Sequence, residues 1–323
     1  MDILTIDQAI EKYLHLVGAA RSSLTAKAYR NALGAFKLSL AAHNVDSATA
    51  PVSRLRESIL GTFLDYLKDY SPATERLYTQ AAVGLYKYLT AEELLTVNIE
   101  KIKQIVHMRI RGIGTRMAQF PIEAMEKVIE HFVPMVPITD PAIRIIYLRD
   151  RALILALADT GLRIHEACNL RRGDIDWHEG RAVIIGKGDK QAVIRFTKRS
   201  TDALKDYLHA RKAYDGKTGR ALSSLALFSR HDTGGAGDIS QITTTTGREI
   251  IKTRVIQVLG EQSGITPHSF RHYFVTKILR VMGGNLKMAQ DLARHSNIQT
   301  TQRYAHLSND ELDKGYYQVF EAA

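Results

Sequence analysis

Residues 181–196 read Arg-Ala-Val-Ile-Ile-Gly-Lys-Gly-Asp-Lys-Gln-Ala-Val-Ile-Arg-Phe. Two β-branched runs flank Gly186-Lys187-Gly188-Asp189-Lys190, whose glycines supply the backbone freedom a tight hairpin turn demands. Around this hairpin the apolar residues recur at helical spacing instead. The expected fold is therefore mainly α, with one small antiparallel β-sheet in its C-terminal part.

Towards the N-terminus, Thr5 is a helix N-cap ahead of Ile6, Ala9, Ile10, Tyr13 and Leu14. A second helix is expected over Ser23–His43, with Leu24, Tyr29, Leu33, Phe36 and Leu40 as its apolar stripe. A third follows over Val52–Tyr70, and Ser71-Pro72 opens a fourth that runs to Leu89, since proline suits a first helical turn. Four antiparallel helices with short connections make a small bundle over residues 1–108. Residues 109–120 (RIRGIGTRMAQF) have no clear period and read as a linker. Its arginines, Arg109, Arg111 and Arg116, have two readings: a basic strip along a phosphate backbone, or a solvated tether. The second domain, 121–323, is expected to hold helices at Ile122–Phe132, Ile143–Asp159 and Ser200–Tyr214, a flexible loop over His231–Thr246, and successive helices from Glu249 onward.

The 323 residues carry 44 Lys and Arg against 34 Asp and Glu, a formal charge of +10. Residues 1–110 hold 13 basic and 11 acidic side chains, which leaves 31 against 23 beyond them. The excess thus sits in the C-terminal two-thirds and points to a polyanionic partner. A 45% hydrophobic, 24% charged composition excludes wholesale disorder. The single cysteine, Cys168, cannot form an internal disulfide, which argues for a reducing, cytoplasmic setting. Acids stand near the start where a secretory signal needs bases, and no run approaches the roughly 18 apolar residues of a membrane span. No membrane association is expected.

Several chemistries are set aside by what the chain lacks. It has no GxxxxGK[ST] loop, no GxGxxG after a strand and no CxxC pair. His268 and His272 stand four apart, as in a helical zinc pair, but Arg271 lies between them and no carboxylate accompanies them. A guanidinium beside a metal is electrostatically hostile, so no metal is expected there. Four other segments stand out: Thr160-Gly-Leu-Arg-Ile-His-Glu166, Gly186-Lys-Gly188, Pro267-His-Ser-Phe-Arg-His272 and His295-Ser-Asn-Ile-Gln-Thr-Thr-Gln-Arg-Tyr304. Singly each has a bland reading, such as a helix-end arginine paired with Glu166, an exposed turn lysine or one packed tyrosine among 14.

Together and in this order, the TGLRxxE, GKG, HxxRH and H-x8-Y segments resemble the tyrosine recombinase (phage integrase) family, most closely its Xer-like bacterial members. The motifs span about residues 155–310, and the N-terminal bundle fits the family's core-binding domain by layout. The resemblance implies a catalytic set of Arg163, Lys187, His268, Arg271, His295 and Tyr304. Glu166 is expected to orient Arg163, and His272 to stand beside the reaction rather than in it. Two residues depart from the family pattern. Arg294 replaces the glycine that usually precedes the last histidine, and either crowds the site or adds a phosphate contact. Asp159 precedes TGLR where a small residue is common, a change expected to be tolerated.

The residue types suit phosphodiester exchange. A phenol, with a reference pKa of about 10, is a modest nucleophile but leaves readily, so its phosphodiester stores the bond energy reversibly. Two arginine forks neutralise the nonbridging oxygens. By resemblance, Lys187 protonates the departing 5′ oxygen, His268 and His295 move protons and hydrogen-bond around the phosphate, and no cofactor is needed. The expected function is site-specific recombination of double-stranded DNA through a 3′-phosphotyrosyl intermediate and a Holliday junction. A homotetramer, or a heterotetramer with a second recombinase, is the expected assembly. The tail Leu307–Ala323 reads as an amphipathic helix, packed on its own domain or docked in a neighbouring subunit. Two competing readings are a type IB topoisomerase, which shares the chemistry but relaxes supercoils as a monomer, and a non-catalytic DNA-binding protein on the same fold.

Overall fold

The structure, a computed structural model, describes residues 4–112, 120–185, 191–231, 240–261, 263–295, 297–302 and 304. It divides the chain into two compact units, Met1–Ala118 and Gln119–Ala323.

In the first unit, α1 (Ile6–Ala20) starts at Thr5, which accepts from the Gln8 amide while the Gln8 side chain accepts from Thr5 N–H at 3.0 Å. This reciprocal pair satisfies two helix-end donors. Helix α2 (Ser23–Ala42) buries Leu33, Phe36 and Leu40, but Leu24 is 79% exposed. At about 100° per residue, nine residues carry Leu24 to the side opposite Leu33, so it never shared the stripe. The expected third helix is shorter. A 3-10 turn at Val52–Arg54 and two non-helical residues precede α3 (Glu57–Tyr66). Tertiary hydrogen bonds claim the backbone here: Val52 N–H donates to Leu4 at 3.0 Å, and Tyr86 Oη donates to the Arg56 carbonyl at 3.0 Å. Helix α4 (Pro72–Ala91) begins as expected, with Ser71 as its cap. A fifth helix, α5 (Ile99–Arg109), follows the four. Only Ile102 is fully enclosed on it, so its apolar period is faint, although Asn98 caps it by accepting from Lys101 N–H at 3.0 Å.

Arg109 and Arg111, expected on the linker, are structural parts of this unit. Arg109 ends α5 and pairs with Asp65. Arg111 pairs with Glu75, whose side chain is 0% exposed and also takes Lys68 at 2.6 Å. A buried carboxylate at the start of α4 thus recruits two cations, one from each flanking segment, and the chain continues as folded structure through residue 112. Arg116 lies outside the described residues.

The second unit is built on α7 (Pro141–Thr160), preceded by α6 (Ile122–His131). Asp140 caps α7 by accepting from the Ala142 and Ile143 amides, and Ala152–Leu157 are fully enclosed, the pattern of a central helix. Its buried Asp150 is held by Arg149 at 2.7 Å and by Arg254 at 2.9 Å. A short α8 (Ile164–Asn169) leads to the antiparallel sheet β1 (Ile175–Asp176), β2 (Arg181–Ile185) and β3 (Gln191–Arg195). Register pairs Arg181 with Arg195 and Ile185 with Gln191, so Ala182, Ile184 and Ile194 turn inward. The turn between β2 and β3, with Lys187, lies outside the described residues.

Helices α9 (Lys198–Ala210) and α10 (Lys212–Gly216) follow, then α11 (Thr244–Leu259), α12 (Pro267–Val281), α13 (Leu286–Ala293) and α14 (Ile298–Gln302). Helix α11 starts five residues before the expected Glu249 because Thr243 caps it, accepting from Thr246 N–H at 3.0 Å. A run of threonines has poor helix propensity and reads as loop, yet its first hydroxyl makes a good cap. The middle of the expected loop, 232–239, and the tail from 305 lie outside the described residues.

Burial pushes the Glu75 pKa upward, but hydrogen bonds from Lys68 and Arg111 outweigh it and hold the carboxyl below its usual range. Its contribution is therefore present at neutral pH and lost as the pH falls through that lowered pKa. Glu75→Gln should lower the opening free energy of α4 amides by about 1–3 kcal/mol in hydrogen exchange at pH 7. Values near the low end are expected because both cationic partners are partly open to solvent. The difference should narrow in acid, and unchanged protection of α4 at pH 7 would show that the carboxylate is dispensable.

Candidate active site

The site starts from a backbone turn. Gly161 ends α7 in the left-handed region at φ +61°, where a Cβ would also meet the Phe274 ring at 2.4 Å. Thr160 stiffens the turn, accepting from Leu162 N–H at 3.2 Å, and Leu162 is fully buried. The next residue, Arg163, becomes the N-cap of α8 with its side chain 41% exposed. Glu166, 5% exposed, accepts from Arg163 N–H at 2.9 Å and from Arg163 Nη1 at 2.9 Å. Burial works against the Glu166 charge, but these bonds and the nearby Arg294 keep its pKa low. Glu166 thus holds Arg163 from both backbone and side chain.

Helix α12 supplies the second arginine. Arg271, 1% exposed, donates from Nη1 to the Gly161 carbonyl at 2.6 Å and from Nη2 to the Ala293 carbonyl. Burial first, then Arg163 and Arg294, bring its pKa to about 10, so it stays charged at neutral pH. One turn earlier on α12, His268 is exposed at the mouth of the site. Partial desolvation, then the charges of Arg271 and Arg163, lower its pKa. A cavity of about 600 Å³ opens against Arg163, His268 and Arg271.

His295, 8% exposed, shares a 2.9 Å hydrogen bond between Nδ1 and Thr301 Oγ1. Its pKa falls to about 4, from burial first and then from Arg271 and Arg163. Tyr304 sits between two imidazoles. Its ring is 5.9 Å from that of His295 and nearly parallel, and 4.3 Å from that of His272, edge to face. It packs on Val275, Leu279, Ala289 and Ala293, where α12 meets α13. His272 also stacks on Phe120 at 3.9 Å, and burial brings its pKa to about 4. Five of the six expected catalytic residues therefore belong to one neighbourhood. The sixth, Lys187, lies outside the described residues.

Some contributors were not legible in the sequence. Arg248 and Lys252, one turn apart on α11, line the cavity that holds Arg163. Basic residues four apart were a usable signal, obscured because the helix start was read too late. Asp159 is more than tolerated: 4% exposed, it accepts from Thr197 Oγ1 and forks with Arg199, tying the end of α7 to the start of α9. In chemical terms, two fixed guanidiniums and the His268 imidazole line an open cavity, and the neutral His295 and the Tyr304 phenol stand together near Arg271. That set can bind a phosphodiester and exchange its ester oxygen.

Comparison with known proteins agrees. The chain is 35% identical to tyrosine recombinase XerC of Corynebacterium efficiens over 177 residues, which is 55% of this chain and 52% of that relative. It is 26% identical to the XerC of Treponema denticola over 316 residues, covering 96% and 98% of the two chains. Among solved structures, the Tn1549 transposon integrase in complex with a circular intermediate DNA superposes with a TM-score of 0.70 at 18% identity, covering 98% of this chain and 99% of that one. This last likeness is one of fold. The phage integrase family model matches residues 135–311, which take in every motif segment from Thr160 to Tyr304. With more than half of its length matched, the chain belongs to the phage integrase family of tyrosine recombinases.

Proposed function

We propose that this protein is a site-specific recombinase of double-stranded DNA, with Tyr304 as its nucleophile. The observation that carries the reading is the convergence of Arg163, Arg271 and His268 on one cavity, with His295 and Tyr304 ring to ring within reach of the Arg271 charge. Tyr304 Oη attacks the scissile phosphorus and loses its proton to a neutral imidazole. The P–O5′ bond breaks, the departing oxygen takes a proton from Lys187, and the strand end remains as a 3′-phosphotyrosyl ester. Arg163 and Arg271 carry the charge on the nonbridging oxygens, fixed beforehand by Glu166 and by backbone carbonyls. Attack by a 5′ hydroxyl of the other duplex reverses each step. Two such exchanges pass through a Holliday junction, which calls for four protomers on two duplexes, identical or paired with a second recombinase.

Exposed basic side chains outside the reaction serve the phosphate backbone, so affinity falls steeply with salt. Arg116 and the partly exposed Arg109 are placed among these, whereas Arg111 is committed to Glu75. Among the described residues, no helix is long and apolar enough to cross a membrane. We place the protein in the cytoplasm, with its DNA.

The test uses duplexes recovered by selection from a random-sequence library, nicked next to the cleavage point to trap the covalent product. Wild-type protein should form an adduct that Tyr304→Phe cannot form while still binding the duplex. An adduct surviving that substitution would remove Tyr304 from the nucleophile role. Arg163→Ala should bind yet cleave about 10²–10³-fold more slowly, the loss typical of one charge-stabilising donor. Unimpaired cleavage would displace it.

The lowered imidazole pKa values set a pH dependence. A neutral imidazole accepts a proton and an imidazolium does not. With its pKa near 4, His295 stays neutral well into mild acid, and His268 is shifted in the same direction, below its ordinary value. At sub-saturating enzyme, where free-enzyme ionisations govern the rate, adduct formation should therefore hold from pH 7.5 to 6.5 and fall only below that. An acid limb centred at or above about 6.5, the unperturbed histidine value, would contradict this.

A further inference from the structure

Arg294 stands immediately before His295, in the position where the family pattern has glycine. Its backbone is left-handed, φ 59° and ψ 43°, and caps α13. That conformation is strained for a residue with a Cβ and natural for glycine, so the side chain must return something for it. The side chain is 11% exposed and reaches back across the active-site turn. Nη2 lies 3.4 Å from the Gly161 carbonyl and 3.3 Å from Glu166 Oε2, both long contacts. Nε and Nη1 are buried and have no hydrogen-bond partner among the described residues.

Glu166 cannot neutralise what surrounds it. Its two oxygens already accept from Arg163, and among the described residues it is the single carboxylate paired with Arg163 and Arg294. Arg271, whose own charge is felt by both His295 and His268, adds a third guanidinium. Among the described residues three guanidiniums thus share one carboxylate and two buried N–H groups are unsatisfied, while Arg248 and Lys252 offset Glu249 and Glu261 on the cavity wall, so the surplus charge suits a further anion. The anion that the reaction brings here is the scissile phosphate.

We propose that Arg294 is a third arginine of the phosphate site, donating from its unpaired N–H groups to a nonbridging oxygen of the scissile phosphodiester. This rests on the recombinase reading above. In the free protein its donors wait unpaired, and the phosphate and the more highly charged phosphorane satisfy them. Nε and Nη1 are closed to solvent in the free protein, so the guanidinium meets the phosphate by shifting off its two long contacts with Gly161 and Glu166. Arg294 is therefore a catalytic residue of this chain at a position where the family pattern provides only backbone.

The experiment compares wild type, Arg294→Gly and Arg294→Lys in single-turnover cleavage of the same selected, nicked duplex. Glycine relieves the left-handed strain, so Arg294→Gly should melt no lower than wild type and still bind the duplex. We expect its cleavage to fall 10²-fold or more, with Arg294→Lys in between. The same duplex with a methylphosphonate at the scissile position lacks one charged nonbridging oxygen. On the diastereomer that removes the oxygen contacted by Arg294, the penalty of Arg294→Gly should shrink at least tenfold. Wild-type cleavage by Arg294→Gly would overturn the proposal. So would an equal loss on phosphodiester and both methylphosphonates, which would make Arg294 a positioning residue acting through Glu166. Absence of any wild-type adduct would overturn the recombinase reading itself, a result distinct from either.

Discussion

The Gly161 peptide is the point on which the active site is assembled. Its left-handed conformation ends α7 and turns the chain so that Arg163 falls at the cap of α8. Its carbonyl then accepts from Arg271 on α12 and from Arg294 after α13, so one oxygen gathers three segments distant in sequence. Phe274 presses on the same glycine and leaves no room for a Cβ. The hub holds because α7 is buried from Tyr147 to Ala158 and cannot shift without opening the core.

Bringing guanidiniums together opposes folding, and the structure offsets the repulsion with fixed acceptors. Arg271 is held by two backbone carbonyls, and Arg163 by both oxygens of Glu166. These acceptors orient the cations without cancelling them, so the net field stays positive. The same field, with burial, keeps His295 and His268 uncharged and able to take a proton. Cation cluster and neutral base are thus two results of one arrangement, as preorganised electrostatic catalysis requires. Against a formal charge of +10, the proposed chemistry draws on a few residues whose placement matters more than their number.

The fold was legible wherever local chemistry spoke clearly. Thr5, Ser71-Pro72 and the alternation around the β2–β3 turn each carry their cause within a few residues, and the structure has each of them. It was illegible where tertiary hydrogen bonds overrode propensity, as at Val52–Arg56, or where a helix buries a single residue, as α5 does with Ile102. Arg109 and Arg111 read as linker because their partners, Asp65 and Glu75, lie more than 35 residues away. Charge pairing across such separations leaves no local trace.

Residue types and their order determined the family, the chemistry and the mainly α fold with one hairpin, because nucleophile, forks and bases are properties of side chains. Tertiary structure alone decided which charges are spent on the fold and which remain available for the proposed phosphate. Arg111 and Arg294 look alike as letters in a basic chain. One is paired with the buried Glu75, and the other is buried with two donors unpaired. The difference is a matter of which acceptors lie within about 3 Å, and only packing sets that distance.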